Sequence, residues 1–192
     1  MLGLNRRACQ RALGATLLLL TAACTTVEIT PQALQAPAQT YRTVVLVRVG
    51  SQDPAFADFE PIFREGFVRR LNELKAFDSV SDASASQAAA GPTSPDAILV
   101  TATLTNVDKG DAVVRFFIGM GAGRARVAAQ LDIQGPDGKS LGRFEARKAY
   151  NGGIGIGGGP LMGIEGLTTQ LGEQAAQSLV DWTHGKLAAA PN

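Results

Sequence analysis

The sequence predicts an α+β domain, in which a twisted, mainly antiparallel sheet of about five strands carries two helices packed on one face. Two observations lead to this prediction. Most strand-like segments follow one another with turns between them, and the two helix-like segments stand early and late in the chain. The expected order of elements, β-α-β-β-β-β-β-α, is typical of α+β folds.

The first predicted elements are a strand, a helix and a short strand. Residues 43–49 (TVVLVRV) form a β-branched run that is apolar on both faces, which predicts a central strand. Residues 54–75 predict a helix because large apolar residues recur there every three or four positions. Asp58 is its expected cap, and Pro61 is tolerated in the first turn. Residues 77–80 predict a short strand.

The rest of the chain predicts a loop, a run of strands and a closing helix. Residues 81–95 are low in complexity and rich in small residues, which predicts a mobile loop. Residues 97–107 alternate between aliphatic residues and threonine, as half-buried strands do. A turn is expected at residues 135–138. The remaining strands and the helix are predicted, in that order, over residues 112–120, 124–134, 140–150 and 161–184.

The N-terminus has the pattern of a secretory signal. Three arginines precede an apolar run at residues 12–20, and small residues follow it. The ending at residues 20–24 (LTAAC) resembles the lipobox of bacterial lipoproteins, which implies cleavage between Ala23 and Cys24 and lipidation of Cys24. A transmembrane helix is disfavoured because the apolar run is about half of a span. A plain secretory signal before a free cysteine is the closer alternative.

Lipidation of Cys24 would attach the protein to a membrane. Stable anchoring takes two acyl chains, which a bacterial lipoprotein cysteine supplies through its diacylglycerol. Thr25 rather than aspartate follows Cys24. By resemblance to the lipoproteins of Gram-negative bacteria, this predicts the periplasmic face of the outer membrane, if the host is of that kind.

These features predict four successive regions. Residues 25–41 are mostly Thr, Gln, Ala and Pro without a sustained period, which predicts a flexible tether. Residues 1–23 are expected to be a lipoprotein signal peptide, and residues 24–41 the lipidated cysteine with its tether. A single α+β domain over residues 42–187 and a disordered tail over residues 188–192 should follow.

Maturation would leave a weakly acidic chain without a free thiol. The whole chain has 18 basic residues, 17 acidic residues and two cysteines. Loss of residues 1–23 removes three arginines and Cys9, which leaves 15 basic residues, and lipid would block Cys24. We therefore expect no nucleic-acid partner, no disulfide and no zinc site.

Two short motifs match signatures of catalysis or nucleotide binding without their structural context. Residues 153–158 satisfy G-x-G-x-x-G, but the chain ends after the next predicted helix, so the second strand of a dinucleotide site is missing. Residues 138–142 satisfy G-x-S-x-G, but they lie at a predicted hairpin turn rather than at a strand-to-helix elbow. We expect no cofactor, no metal and no enzymatic activity.

Gly119, Gly121 and Gly123 stand at alternating positions ahead of Arg124. If this segment is extended, the three glycines leave one face of a strand bare, which weakens the strand. Close packing by another element or a sharp bend is the favoured role. Approach of a ligand or partner to the bared face is the alternative.

The same residues carry a family resemblance. Residues 97–110, the segment R-F-F-I-G-M-G-A-G-R from Arg115 to Arg124, and the hairpin at residues 137–139 together resemble the bacterial domain of unknown function family 4410. The resemblance covers roughly residues 42–187. Members of that family are largely envelope lipoproteins, so it implies one α+β domain behind a lipid anchor. It implies no catalytic residues.

A second glycine-rich stretch, residues 151–166, contains Ile154 and Ile156. A flexible surface connection is the plain interpretation. Apolar side chains exposed on such a loop would instead contact a partner or a membrane.

The function predicted from these observations is that of a lipid-anchored periplasmic protein without enzymatic activity. Its expected partners are the membrane, through Cys24, and an envelope protein or assembly of unknown identity. The alternative is a lipoprotein that binds a small molecule or peptide on the sheet face bared by Gly119, Gly121 and Gly123.

Overall fold

The structure, a computed structural model, describes residues 27–83, 94–110, 125–149 and 163–187. Its strands and helices, numbered in chain order, are β1 (Val27–Gln32), β2 (Thr43–Ser51), a 3₁₀ helix (Pro54–Phe59), α1 (Glu60–Leu74), β3 (Ser79–Asp82), β4 (Ala97–Asp108), β5 (Arg126–Gln134), β6 (Ser140–Ala149) and α2 (Ile164–Thr183).

The strands form one mixed sheet of six in the order β1-β6-β5-β4-β2-β3. β2 runs parallel to both of its neighbours, β3 and β4, and the other three pairings are antiparallel. The predicted α+β class and mainly antiparallel sheet are confirmed. The described strands number six rather than about five, and they include β1, which was not predicted. The strand expected at residues 112–120 lies outside the described residues.

Both helices cover one face of this sheet. Side chains alternate between buried and accessible along β2, β5 and β6, so one face of the sheet is buried and the other is open to solvent. α1 and α2 pack against each other above the buried face. The centre of this core consists of fully buried side chains from all of these elements, namely Leu46, Phe63, Phe67, Leu71, Ile98, Leu104, Leu131, Ile133, Phe144, Leu167, Leu171 and Trp182.

Two glycines allow the helices to approach closely. A Cβ on Gly66 would overlap the carbonyl oxygen of Thr169 in α2, and one on Gly172 would overlap the carbonyl oxygen of Phe63 in α1. The backbones of α1 and α2 are therefore in direct contact at this crossing, which leaves little room for larger residues.

The start of the first helix differs from the prediction. Asp53, not Asp58, caps the segment, because its carboxylate accepts a hydrogen bond of 2.9 Å from the amide of Ala55. The chain first makes a 3₁₀ helix and becomes α-helical at Glu60, with Pro61 in the first turn as expected. The following strand, β3, begins two residues later than predicted.

The flexible tether predicted for residues 24–41 is wrong from Val27 onward, and the domain begins there rather than at residue 42. β1 pairs antiparallel with β6 along its whole length, from Val27 opposite Lys148 to Gln32 opposite Arg143. Its side chains alternate between half-buried and exposed. With six residues and a proline, β1 is a short edge strand whose period was too brief to identify in the sequence.

Residues 33–41, here called the strap, continue from β1 and pack on the C-terminal helix. The Trp182 indole donates a hydrogen bond of 2.7 Å to the carbonyl oxygen of Gln35. The ring of Tyr41 stacks on Trp182 at 5.7 Å between centroids, and Leu34 is 3% exposed. Buried apolar groups and a satisfied indole N–H hold the strap in place.

A glycine of β6 lets the strap lie against the sheet. Gly142 has a φ of +123°, which L side chains rarely adopt, and a Cβ there would lie 2.5 Å from the carbonyl oxygen of Ala33. The amide of Gln35 donates to the carbonyl of Leu141 next to it, at 2.9 Å. We call this end of the sheet, where β1 ends and β6 begins, the strap end.

Candidate functional site

A groove of about 570 Å³ lies at the opposite end of the sheet, where β1 and β5 begin and β4 and β6 end. We call this the groove end. Both acidic and basic residues line it, together with Thr105 and Asn106 of β4. The lining residues are Glu28, Thr105, Asn106, Arg126, Val127, Ala128, Glu145, Arg147, Lys148 and Ala149.

The sheet register explains how these charges meet. Glu28 of β1 lies opposite Arg147 of β6, and Arg126 of β5 lies opposite Asp108 of β4. Their neighbours along each strand, such as Val127, point into the core. Because side chains alternate between faces, these charged residues share the open face of the sheet.

Arg147 is held by a neighbour on its own strand. Its guanidinium donates two hydrogen bonds, of 2.9 and 2.8 Å, to the carboxylate of Glu145. This hydrogen bonding raises the pKa of Arg147, and the charge of Glu28 adds to the rise. Arg147 therefore contributes a charge that is fixed in position.

Arg126 is held less firmly. Its side chain is exposed, and it makes no hydrogen bond or ion pair with any residue that the structure describes. A guanidinium has five N–H donors in a planar fork that suits a carboxylate or a phosphate. Arg126 can therefore bind an anionic group in or above the groove.

A β-bulge places an unusual hydroxyl beside these charges. The pairing of β4 with β5 shifts between Leu104 and Asn106, which leaves Thr105 as the extra residue. The Oγ1 atom of Thr105 is buried, and it has no hydrogen-bond partner among the described residues. A buried hydroxyl without a partner is costly, so the groove end contains a polar group that the described residues leave unsatisfied.

Lys148 lies on the other face of β6, below the groove and against α2. It is only 4% exposed, and burial lowers the pKa of its ammonium group while the carboxylate of Glu173 opposes that change. Glu173 also pairs with Arg69 of α1. The buried charge of Lys148 is thus compensated from α2, and it ties the groove end of β6 to the helical layer.

Two candidate chemistries can be checked against the described parts of the chain. Over residues 27–83, 94–110, 125–149 and 163–187, no three His, Cys, Asp or Glu side chains are grouped so that they could hold a metal ion. The G-x-S-x-G match lies at a hairpin, as predicted. Gly138 there has a φ of +76° and donates to the carbonyl of Gly135 at 3.0 Å.

No helix within these same ranges is long and apolar enough to cross a membrane.

The predicted site residues all lie outside the described residues. They are Ala23, Cys24, Gly119, Gly121, Gly123, Arg124, Ile154 and Ile156. Their roles therefore stay predictions. The described residues that flank the two glycine-rich segments, such as Ala125 and Ala149, belong to the groove end.

Sequence reasoning missed the groove residues. Glu145 and Arg147 alternate along β6, which is a signal of an exposed strand face. Their partner Glu28 was assigned to a tether, and the register that opposes it to Arg147 depends on a pairing that spans most of the domain.

A family model matches the central part of the chain. Residues 62–153 match the model of a family described as Domain of unknown function (DUF4410). The matched segment is similar to the members of that family. This confirms the family resemblance found in the sequence, over a shorter range than the expected residues 42–187. No curated protein matches the chain.

Solved structures show a distant likeness to the whole fold. The protein named PelC dodecamer, from Paraburkholderia phytofirmans, matches with a TM-score of 0.51 and 13% identity, over 81% of this chain and 96% of that one. A protein described as a homolog of a neuraminyllactose-binding hemagglutinin, from Helicobacter pylori, matches with a TM-score of 0.40 and 12% identity, over 77% and 85%. The PelC match shows that this domain shares the PelC fold.

Proposed function

We propose that this protein is a lipid-anchored, non-enzymatic module that assembles with copies of itself on the periplasmic face of the outer membrane. The observation that supports assembly is the fold shared with PelC, which is named as a dodecamer and is covered over 96% of its length. The observation that supports the anchor is the lipobox-like ending at Cys24.

The edges of the sheet favour assembly through side chains over strand addition. β1 forms one edge, and its Pro31 has no amide hydrogen to donate to an added strand. β3 forms the other edge and has four residues. A short strand and a proline-containing strand both offer poor templates for continuous pairing.

The open face carries charges suited to contacts between copies. Asp132 of β5 pairs with Arg143 of β6 at 3.0 Å, and the Glu145–Arg147 pair lies further along the same strand. Adjacent charges of opposite sign complement the same pattern on a second copy, and they also disfavour other registers.

The test is native mass spectrometry of the full-length protein extracted from its own membranes. We expect Cys24 to carry lipid and the protein to appear as an oligomer of one subunit type. Arg143→Glu should lower the oligomer fraction, because it places two acids side by side, whereas Lys139→Glu at the hairpin tip should not. A lipidated protein that is monomeric at all concentrations would contradict self-assembly. An intact mass without lipid would contradict the anchor.

Binding of a small ligand is the second candidate function, and the groove favours it. Arg126 lines the groove, is exposed, and makes no hydrogen bond or ion pair with the described residues. In this case the extracted protein would carry an added mass besides lipid, which Arg126→Gln would remove and Lys139→Gln would preserve. A single unliganded species from intact cells would count against it.

A further inference from the structure

The first strand of the domain begins at the groove end. β1 begins there with Val27, and two residues, Thr25 and Thr26, separate Val27 from Cys24. Three Cα–Cα steps of 3.8 Å limit this separation to roughly 11 Å, whatever its conformation. A lipid on Cys24 would therefore hold the start of β1 close to the bilayer surface.

The strap end is held much farther away along the sheet. β5 runs the length of the sheet from Arg126 at the groove end to Gln134 near the strap end. Nine residues of antiparallel strand span about 27 Å. This length exceeds the reach of the linker, so a domain standing on its groove end would hold the strap end away from the lipid.

The charges at the groove end match those of a phospholipid surface. Arg126 is exposed and makes no hydrogen bond or ion pair with the described residues. Guanidinium groups bind phosphate oxygens through two parallel hydrogen bonds. Glu28 supplies a carboxylate to the ammonium group of a zwitterionic headgroup.

We propose that the groove end faces the bilayer, with Arg126 bound to the phosphate groups of phospholipids. This proposal rests on the lipid anchor at Cys24 proposed above. It adds an orientation, in which the strands of the sheet run away from the bilayer surface and the strap end points into the periplasm. Arg126 acts as the contact that keeps the tethered domain from tumbling about its short linker.

The experiment compares two matched positions in the full-length lipidated protein. Lys109→Cys and Lys139→Cys exchange exposed lysines in turns at the groove end and the strap end, and each would supply the sole thiol of the mature chain for a fluorophore. The protein is placed in vesicles of phosphatidylethanolamine and phosphatidylglycerol with a nitroxide quencher on the headgroup. We expect strong quenching at position 109 and little at position 139. Equal quenching, or stronger quenching at position 139, would overturn the orientation.

A second comparison isolates the phosphate contact. Arg126→Gln should reduce the quenching of the label at position 109, whereas Arg126→Lys should retain most of it. Glu65→Gln on the outer side of α1 is the neutralisation control and should have no effect. Unchanged quenching in Arg126→Gln would overturn the role of Arg126. The intact mass of the protein distinguishes the two proposals. A protein without lipid would contradict the anchor, whereas a lipidated protein with equal quenching at positions 109 and 139 would contradict the orientation alone.

Discussion

The two ends of the sheet differ in how completely their polar groups are satisfied. At the strap end, the Trp182 indole, the amide of Gln35 and the close approach at Gly142 bind the N-terminal segment to both layers of the domain. At the groove end, Thr105 Oγ1 is buried without a partner among the described residues, and Arg126 makes no hydrogen bond to them. Stability is concentrated at the first end, and capacity for binding at the second.

The two ends of the sheet therefore have different roles: the strap end stabilises the fold, and the groove end offers groups for binding. A fully packed end tolerates few changes, because each one leaves a cavity, an overlap or an unpaired group. An end with a donor that no described residue accepts can form hydrogen bonds with a ligand or a partner. Substitutions at the two ends should therefore separate loss of stability from loss of binding.

The largest effect is expected at Gly142. Gly142→Ala requires an alanine at a φ of +123° with its Cβ 2.5 Å from the carbonyl oxygen of Ala33. We expect the free energy of unfolding to fall by about 3 kcal/mol, measured by urea denaturation.

Gly138→Ala is the matched control for this substitution. Gly138 also has a positive φ, +76°, but a Cβ there would meet no atom within 4 Å. It should cost about 1–2 kcal/mol from backbone strain alone. Equal losses for the two variants would show that the strap does not pack tightly over Gly142.

A smaller effect is expected from the indole hydrogen bond. Trp182→Phe keeps a large aromatic ring beside Tyr41 but removes the donor to Gln35, so we expect a loss of about 1–2 kcal/mol. Amide hydrogen exchange should quicken in the strap, whereas exchange in β5 should respond only to the global change. Identical exchange across the strap would contradict its attachment through Trp182.

Two threonines with buried hydroxyl groups allow a satisfied hydroxyl to be compared with an unsatisfied one. Thr168 donates to the carbonyl of Ile164 at 2.8 Å, whereas Thr105 Oγ1 has no partner in the described parts of the chain. Thr168→Val should cost about 1 kcal/mol, and Thr105→Val should leave stability unchanged or raise it by up to about 1 kcal/mol. A clear loss in Thr105→Val would show that its hydroxyl is satisfied in the folded protein. Thermal unfolding distinguishes these outcomes.

The smallest effect is a pH dependence at the groove end. Burial lowers the pKa of Lys148, so the folded protein binds its proton less tightly than the unfolded chain does. The resulting cost is fully present below the folded pKa. It disappears as the pH rises toward about 10.4, the ordinary value for lysine, so stability from this group rises with pH.

Lys148→Met should remove this rise. The measurement is the change in unfolding free energy between pH 7 and pH 10, in the wild-type protein and in Lys148→Met. Lys139→Met is the control of opposite sign, because hydrogen bonding to Asp137 raises the pKa of Lys139. Its stabilising contribution is lost as the pH rises through that raised pKa. A parallel pH dependence in wild-type protein and Lys148→Met would contradict the burial of a charged amine.

Much of the architecture could be predicted from the sequence because its periods are local and long. α1 and α2 repeat apolar residues over many turns, and β4 alternates between apolar residues and threonine from Val100 to Thr105. The turn before β6 is encoded by Gly-Pro-Asp-Gly. These signals depend on neighbouring residues and survive without knowledge of the tertiary structure.

The groove and the strap could not be predicted because both depend on distant pairings. β1 has only six residues, one of them proline, so its alternation is too short to stand out in a segment rich in Thr, Gln, Ala and Pro. The bulge at Thr105 depends on β5, and the charge pattern at Arg147 depends on β1. The sequence pointed instead to Gly119 and Ile154, which lie outside the described residues.

The strap also has a consequence for the order of folding. Gln35 and Trp182 are 147 positions apart, so the N-terminal segment cannot reach its final place until the last helix is available. Closing so long a loop costs conformational entropy, and this cost arises before the contacts that Gln35 makes with the last helix can stabilise the fold. We therefore expect the N-terminal segment to dock late, after the centre of the sheet and the last helix have formed, so that the chain completes its fold by joining its beginning to its end.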